Sequence, residues 1–122
     1  MEDSILETIK KMLDIYEEDT SFDVDVIMHI NGALAELIHC GVGPQDGFVI
    51  EDKTATWEEF EPNKVARSCV IEYVYCKTKL VFDPPSNSFT CDALNKRADE
   101  AQWRAYMLLD EMKANEDVQQ SN

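Results

Sequence analysis

The stretch KLVFDPPSNSF, residues 79–89, decides the fold because its two consecutive prolines separate two long helical patterns. The first proline biases Asp83 away from the helical region of backbone space, and the second restricts the first in the same way. Neither proline has an N–H group to donate, so the preceding helix must end here. Asn87 or Ser88 can then cap a new helix. The sequence therefore predicts a rigid corner that holds two long helices at a fixed angle.

The segment before this corner, NKVARSCVIEYVYCKTKLVFD (residues 63–83), is predicted to be a helix. Its β-branched residues would also suit a strand, but a continuous pattern of roughly twenty residues favours a helix. Cys69 and Cys76 lie seven positions apart on its apolar face and are most simply small core residues.

The segment after the corner predicts a last helix from about Phe89 to Lys113. An apolar seam with a small-residue centre runs along it, and small residues let another helix approach closely. Further apolar residues lie outside the seam, which suits contact with both the chain's own bundle and a neighbour. We therefore expect a subunit or partner interface among Ala98, Ala101, Trp103, Ala105, Leu108 and Met112.

Two more helices are predicted in the N-terminal half. Ser4 and Glu7 have capping-box spacing at the start of the first helix. The second helix follows an acidic loop, with Ser21 or Asp23 as its cap and a glycine at position 41 as its end. A glycine at position 32 lies inside this second helix and suggests close packing there.

The long loop GVGPQDGFVIEDKTATWEEFEP (residues 41–62) has too many glycines and prolines for a regular helix. Its residues 48–50 and 54–55 suggest a short β-hairpin-like excursion. A second capping box predicts one helical turn at the end of the loop. Trp57 and Phe60 in that turn either face a partner or, as we favour, cover the end of the core.

These elements predict a mainly α fold: a small bundle of about four helices, with the hairpin-like excursion between the second and third. Residues 1–114 should form a single domain, followed by a polar, flexible tail over residues 115–122.

The charge is strongly acidic and uneven. The chain has a net charge of −14, and residues 1–62 alone carry 16 acids against 3 bases. Such a chain repels nucleic acid, so direct DNA binding is not expected. Solubility is the simplest explanation of the acidity. An acidic regulatory module that mimics DNA and inhibits a basic enzyme site is the alternative function that the charge permits.

The sequence predicts no catalytic residues, no metal site and no cofactor. The four cysteines are scattered, without paired CxxC spacing, and we expect all of them to be reduced. No phosphate-binding glycine loop, nucleophile elbow or HExxH motif is present. We expect neither a signal peptide nor a membrane span. A non-enzymatic assembly or binding module is the resulting interpretation.

Several motifs in one order resemble the head–tail connector proteins of long-tailed bacteriophages and prophages. They are DSILETIKKMLDI, DVIMHINGAL, the G-V-G loop, T-A-T-W, and F-D-P-P before the final helix. The similarity covers about residues 3–90. In the final helix only the W-R of EAQWRAYML is shared in wording, and the tail beyond it has no counterpart.

The resemblance implies a structural, non-enzymatic protein of the virion neck, made in the host cytoplasm. It implies a homo-oligomeric ring, commonly of twelve subunits, that forms beneath the portal protein after DNA packaging. Such a ring extends the DNA channel, lets DNA pass without specific binding, and docks a downstream neck or tail protein. On this basis we expect part of the acidic loop to line the channel or its rim, namely Glu51, Asp52, Glu58 and Glu59. Outward-facing acids that confer solubility are the alternative.

Overall fold

The computed structural model describes the backbone of residues 4–120 and the side chains of residues 4–115. The predicted mainly α fold is confirmed. Within the described residues the helices are α1 (Ile5–Met12), α2 (Asp23–His39), α3 (Trp57–Phe60), α4 (Lys64–Phe82) and α5 (Ser88–Gln120). Since α3 is a single turn, the frame consists of four longer helices, as the sequence predicts.

The double-proline corner ends α4 and starts α5 as predicted. The last residue of α4 is Phe82. The side chain of Asn87 then accepts hydrogen bonds from the backbone N–H groups of Phe89 and Thr90, at 2.7 and 3.3 Å. Because α5 continues to Gln120, it is longer than the apolar pattern indicates. The flexible tail includes residues 121–122, which lie outside the described part of the chain, and it stays a prediction.

Helix α4 is central, since it packs against each of the other four helices and most extensively against α5. The close packing predicted for the seam is confirmed, because Ala98, Ala101 and Ala105 are fully buried. Their short side chains let the α5 backbone approach its neighbour. On α4, Cys69 and Cys76 are buried core residues, and burial raises the pKa of the Cys76 thiol. The reduced state of the four cysteines stays a prediction.

Replacing Ala101 with phenylalanine should overpack this helix pair. The added ring has no space at a position that is 1% exposed, so we expect the free energy of unfolding to fall by about 1–3 kcal/mol. Urea denaturation measures this change. Ala93→Phe is the matched control, because Ala93 lies on the same helix and is exposed. Equal stability of the two variants would show that the seam is not closely packed.

The predicted β-hairpin-like excursion is wrong, since residues 4–120 contain no β-strand. The extended run 48–50 pairs with a helix side chain instead. Ile50 N–H donates to Asn31 Oδ1 at 2.8 Å, and Asn31 Nδ2 donates to the Ile50 carbonyl at 3.0 Å. A carboxamide offers the donor and acceptor that a second strand would have supplied. The run at 54–55 pairs with the start of α1, through Ile5 N–H and the Ala55 carbonyl at 3.0 Å.

The predicted cap of α2 is also wrong, whereas its end is as predicted. Phe22 occupies the N-cap position and makes no side-chain capping bond. Ser21 is bonded to Asp19 through its N–H and hydroxyl groups, and Asp23 pairs with Lys10 at 2.9 Å. The helix ends at His39, and the glycine at position 41 that follows its C-cap residue has a φ of +95°. The close packing expected at the glycine in position 32 is wrong within this chain, because a Cβ there would meet no atom within 4 Å.

Candidate assembly and channel surfaces

Apolar side chains hold the loop over residues 41–63 against the bundle. Four of them are fully buried: Val42, Ile50, Trp57 and Phe60. The Phe48 ring packs edge-on against Phe60, with the ring centroids 5.4 Å apart. The loop is therefore anchored to the core at its beginning, middle and end.

Polar bonds fix the acidic part of the same loop. The Ser4 hydroxyl, which caps α1, also donates to the Lys53 carbonyl at 2.7 Å. At α3, Thr56 N–H donates to Glu59 Oε1 at 2.8 Å, and Glu59 N–H donates to the Thr56 hydroxyl at 3.2 Å. This is the predicted capping box. The indole N–H of Trp57 donates to Thr8 at 3.1 Å, so α3 is tied directly to α1.

The four candidate channel-lining acids are all exposed, but they differ in the hydrogen bonds that their side chains make. Asp52 accepts hydrogen bonds from the Thr54 hydroxyl and backbone N–H, and these bonds lower the pKa of the Asp52 carboxyl. Glu59 closes the capping box. Glu51 and Glu58 make no side-chain bond within the described residues. Asp52 and Glu59 therefore support the conformation of the loop, whereas Glu51 and Glu58 contribute charge alone.

Trp57 and Phe60, two of the candidate interface residues, lie inside the core of the chain. Each is 1% exposed. This placement agrees with the favoured interpretation, that they cover the end of the core. They offer no contact surface to a partner in this conformation, and they act on the surface only by holding the acidic loop in place.

The six candidates on α5 are not brought together. The three alanines are buried against the bundle, and Leu108 is half-buried. Met112 is partly exposed, and its sulfur accepts a hydrogen bond from the Asn63 side chain. Trp103 is 65% exposed and lies away from Met112. A shallow cleft of about 370 Å³ adjoins it, lined by Cys40, Asp99, Gln102, Trp103 and Tyr106.

A partly buried hydrogen bond joins α2 to α4 beside this region. The Tyr73 hydroxyl donates to Glu36 Oε2 at 2.6 Å, and Lys77 lies 3.8 Å from the same oxygen. Burial, together with this bond to a carboxylate, raises the pKa of Tyr73 above its usual range. The phenol therefore stays a neutral donor, which suits a structural role.

Sequence reasoning missed two side chains that shape these surfaces. Asn31 holds the middle of the loop, and its only signal was a polar residue within an apolar helical pattern. Lys10 is 3% exposed and bonds the carbonyl oxygens of Glu17 and Asp19 at 3.1 and 2.7 Å. The helical period places Lys10 one turn after Leu6, at the edge of the apolar face of α1, but it does not show that the ammonium group is buried.

In the part of the chain that the structure describes, no three His, Cys, Asp or Glu residues are grouped to hold a metal ion. None of the described helices is both long and apolar enough to cross a membrane. The described residues thus form a small, mainly helical domain with an anchored, exposed acidic loop.

A family model described as "Phage connector protein" matches residues 5–111, and the chain belongs to this family. The match includes α1 to α4 and most of α5. No curated protein and no solved structure matches the chain significantly. Family membership implies a structural connector role in a bacteriophage, at the junction of head and tail, in association with portal and tail proteins. The resemblance found in the sequence is therefore confirmed.

Proposed function

We propose that this protein assembles into a ring beneath the portal protein, extends the DNA channel and docks the next neck or tail component. The observation that carries the proposal is the family match over residues 5–111. A ring of twelve identical subunits is the expected form. Closed rings require every subunit to keep one shape, because angular errors accumulate around the circle.

The rigid frame supports this function. The Asn87 cap fixes the start of α5 directly after the double proline, and α4 packs along α5. The long loop is held at its beginning by buried Val42, and at its end by the buried rings of Trp57 and Phe60 and by the capping box. A subunit built in this way deforms little, so it holds its two neighbours in the ring at a constant angle.

The acidic loop supports the channel part of the proposal. Glu51, Asp52, Glu58 and Glu59 are exposed carboxylates on one fixed segment. Repeated around a ring, they would present negative charge at every angle, and phosphates passing through would meet no attractive position. Counterions screen this repulsion beyond roughly 8 Å at physiological salt, so the effect acts only where DNA passes close to the wall.

Assembly with the portal protein of the same phage tests the function. Light scattering and electron microscopy of the mixture should reveal rings on the portal. A regulatory module that mimics DNA would instead stay a monomer or dimer and leave the portal unchanged. This second outcome would contradict the connector ring.

Reversing two loop charges tests the channel lining. We expect Glu51→Lys combined with Glu58→Lys to leave folding intact, because neither side chain makes a bond within the described residues. Attraction between lysines and phosphates should then slow DNA ejection, and the slowing should decrease as salt is raised. Ejection rates from purified particles at several salt concentrations measure this. Asp52 and Glu59 are left unchanged, since their loss would disturb the loop itself.

The control is Glu17→Lys combined with Glu18→Lys. It makes the same change in net charge on another exposed segment of the acidic half. Slow, salt-dependent ejection with the loop variant alone would support the lining. Normal ejection from particles shown to carry the reversed loop charges would refute it and leave solubility as the role of these acids.

A further inference from the structure

The extended run over residues 48–51 is bonded to the rest of the chain along one of its two edges. Ile50 N–H donates to the Asn31 side chain at 2.8 Å, and the Ile50 carbonyl accepts from the same side chain at 3.0 Å. One carboxamide can bond both groups of a residue when the backbone is extended, because the N–H and C=O then point the same way. Burial alternates accordingly, since Phe48 is half-buried, Val49 exposed, Ile50 buried and Glu51 exposed.

The opposite edge of the run, here called the outward edge, consists of the backbone N–H and carbonyl groups of Val49 and Glu51. Successive residues of an extended chain direct these groups to opposite edges, so those of Val49 and Glu51 point away from Asn31. They make no backbone hydrogen bond to any part of the chain that the structure describes. Val49 is 67% exposed. Because buried backbone groups are almost always paired, the outward edge is open to solvent in the isolated subunit.

The run is rigid before any partner binds. Ile50 is 2% exposed, and the Phe48 ring packs against Phe60, so two side chains of the run are fixed to the core. Just beyond the run, the Ser4 hydroxyl donates to the Lys53 carbonyl at 2.7 Å. A strand that pairs with the outward edge would therefore meet a fixed template, and the entropy cost of ordering that template is already met within the subunit.

Acidic side chains surround the outward edge. Asp46, Glu51 and Asp52 are exposed, and Lys53 is the only base between positions 41 and 62. On paired strands, opposite charges that face each other stabilise the pair and like charges destabilise it. The edge therefore suits a segment with lysine or arginine opposite Glu51 and an apolar residue opposite Val49. A second copy of the same run is a poor partner, because pairing would bring the acids of both copies together.

We propose that the outward edge receives an extended, basic segment of the portal protein, which adds to residues 48–51 as a β-strand. Main-chain hydrogen bonds give such a contact its affinity, and the side chains opposite Val49 and Glu51 give it specificity. Because the edge repels a second copy, it stays unpaired until the subunit meets its first partner. This inference rests on the proposed function, in which that first partner is the portal protein.

Amide hydrogen exchange tests the outward edge without any substitution. In the isolated subunit the N–H groups of Val49 and Glu51 should exchange rapidly, whereas that of Ile50 should be protected by its bond to Asn31. On the portal protein all three should be protected. Mass spectrometry with electron-transfer fragmentation measures exchange at single residues. Rapid exchange at Val49 and Glu51 on the portal would overturn the inference.

Two further exchange results would show a different occupant and would also overturn the inference. Protection of Val49 and Glu51 in a concentrated solution of the subunit alone would show pairing between copies. Protection that appears only with the next neck or tail component would show that this component supplies the strand.

Removing one N–H group tests its contribution to affinity. Val49→Pro should fold as wild type, because this N–H has no backbone partner within the described residues. It should raise the Kd for the portal protein by about tenfold or more, because a carbonyl of the added strand loses its donor. Val49→Thr keeps both the branched side chain and the N–H group, and should bind as wild type. Titration of the portal protein with labelled subunits measures this, and urea denaturation checks folding.

Equal affinity of the proline and threonine variants would refute the main-chain contact. If the proline variant is destabilised, the exchange pattern of the wild-type protein decides alone.

Reversing one charge tests the acidic part of the contact. Glu51→Lys should raise the Kd for the portal protein by about threefold or more. Glu58→Lys makes the same charge change on α3, outside the run, and should leave the Kd unchanged. Equal binding by the two variants would contradict the base assigned opposite Glu51. The channel test stays separate, because it compares ejection only from particles that have assembled.

The outcomes separate this inference from the function on which it rests. Wild-type rings on the portal, together with normal rings from Val49→Pro and an unprotected outward edge, would refute the added strand and leave the connector ring standing. A wild-type protein that does not bind the portal would refute both.

Discussion

Replacing Gly43 with alanine is expected to lower the free energy of unfolding by about 3 kcal/mol. The added Cβ would lie 2.8 and 2.9 Å from Cε2 and Cε1 of Phe60, and closer still to Cζ. That ring is 1% exposed and packs against Phe48, so it cannot move aside easily. Overpacking of this kind costs about 1–3 kcal/mol. The left-handed backbone, with φ of +98°, adds about 1–2 kcal/mol for a residue with a Cβ.

Gly47→Ala separates these two contributions. Gly47 has a similar φ of +106°, yet a Cβ there would meet nothing within 4 Å. It should therefore show the backbone cost alone, about 1–2 kcal/mol. Urea denaturation of the two variants gives the contribution of the ring contact by difference. Equal destabilisation would mean that Gly43 is required for its backbone conformation and not for its approach to Phe60.

The features that sequence reasoning predicted correctly depend on neighbours along the chain. The double proline stops α4 because of its own ring geometry, whatever surrounds it. The caps at Ser4, Thr56 and Asn87 need only a side-chain oxygen and an N–H group two or three residues later. The alanine seam of α5 follows from residue size and helical period. Each of these signals can be read within a window of a few residues.

The features that sequence reasoning missed depend on residues far apart in the chain. The extended run at residues 48–50 had the composition of a strand, but its hydrogen-bond partner was Asn31 on a helix. The fragment 54–55 paired with the start of α1, about fifty residues earlier. Asp23 had the composition of a helix cap, but its carboxylate pairs with Lys10 on α1. Local patterns show that a polar group needs a partner, and they do not show which one it finds.

The candidate interface shows the same limit. The periodic pattern identified both the apolar seam and Trp103, but it could not separate side chains that fill the core from those that remain exposed. Trp57 and Phe60 turned out to be buried, whereas Val24 and Met28 remain on the surface. Helix α2 is apolar on two sides, so its sequence alone does not show which side faces the core.

Replacing Lys10 with methionine is expected to lower the free energy of unfolding by about 2–3 kcal/mol. The ammonium group is almost fully buried and lies 2.9 Å from the Asp23 carboxylate. It also donates to the carbonyl oxygens of Glu17 and Asp19, so one side chain holds the loop between α1 and α2. Methionine fills a similar volume but leaves these acceptors without their donor. Breaking a buried pair costs about 3–5 kcal/mol, and the partial exposure of Asp23 reduces this.

Lys11→Met is the matched control for this change. Its side chain is exposed beside Lys10 on the same helix, so its loss should alter stability by less than about 0.5 kcal/mol. Asp23→Asn in the Lys10→Met background should recover part of the loss, because it removes the unpaired charge. The resulting double-mutant cycle measures the coupling between the two groups. A coupling near zero would show that the two carbonyl bonds, and not the ion pair, hold the loop. Equal stability of the Lys10 and Lys11 variants would show that neither does.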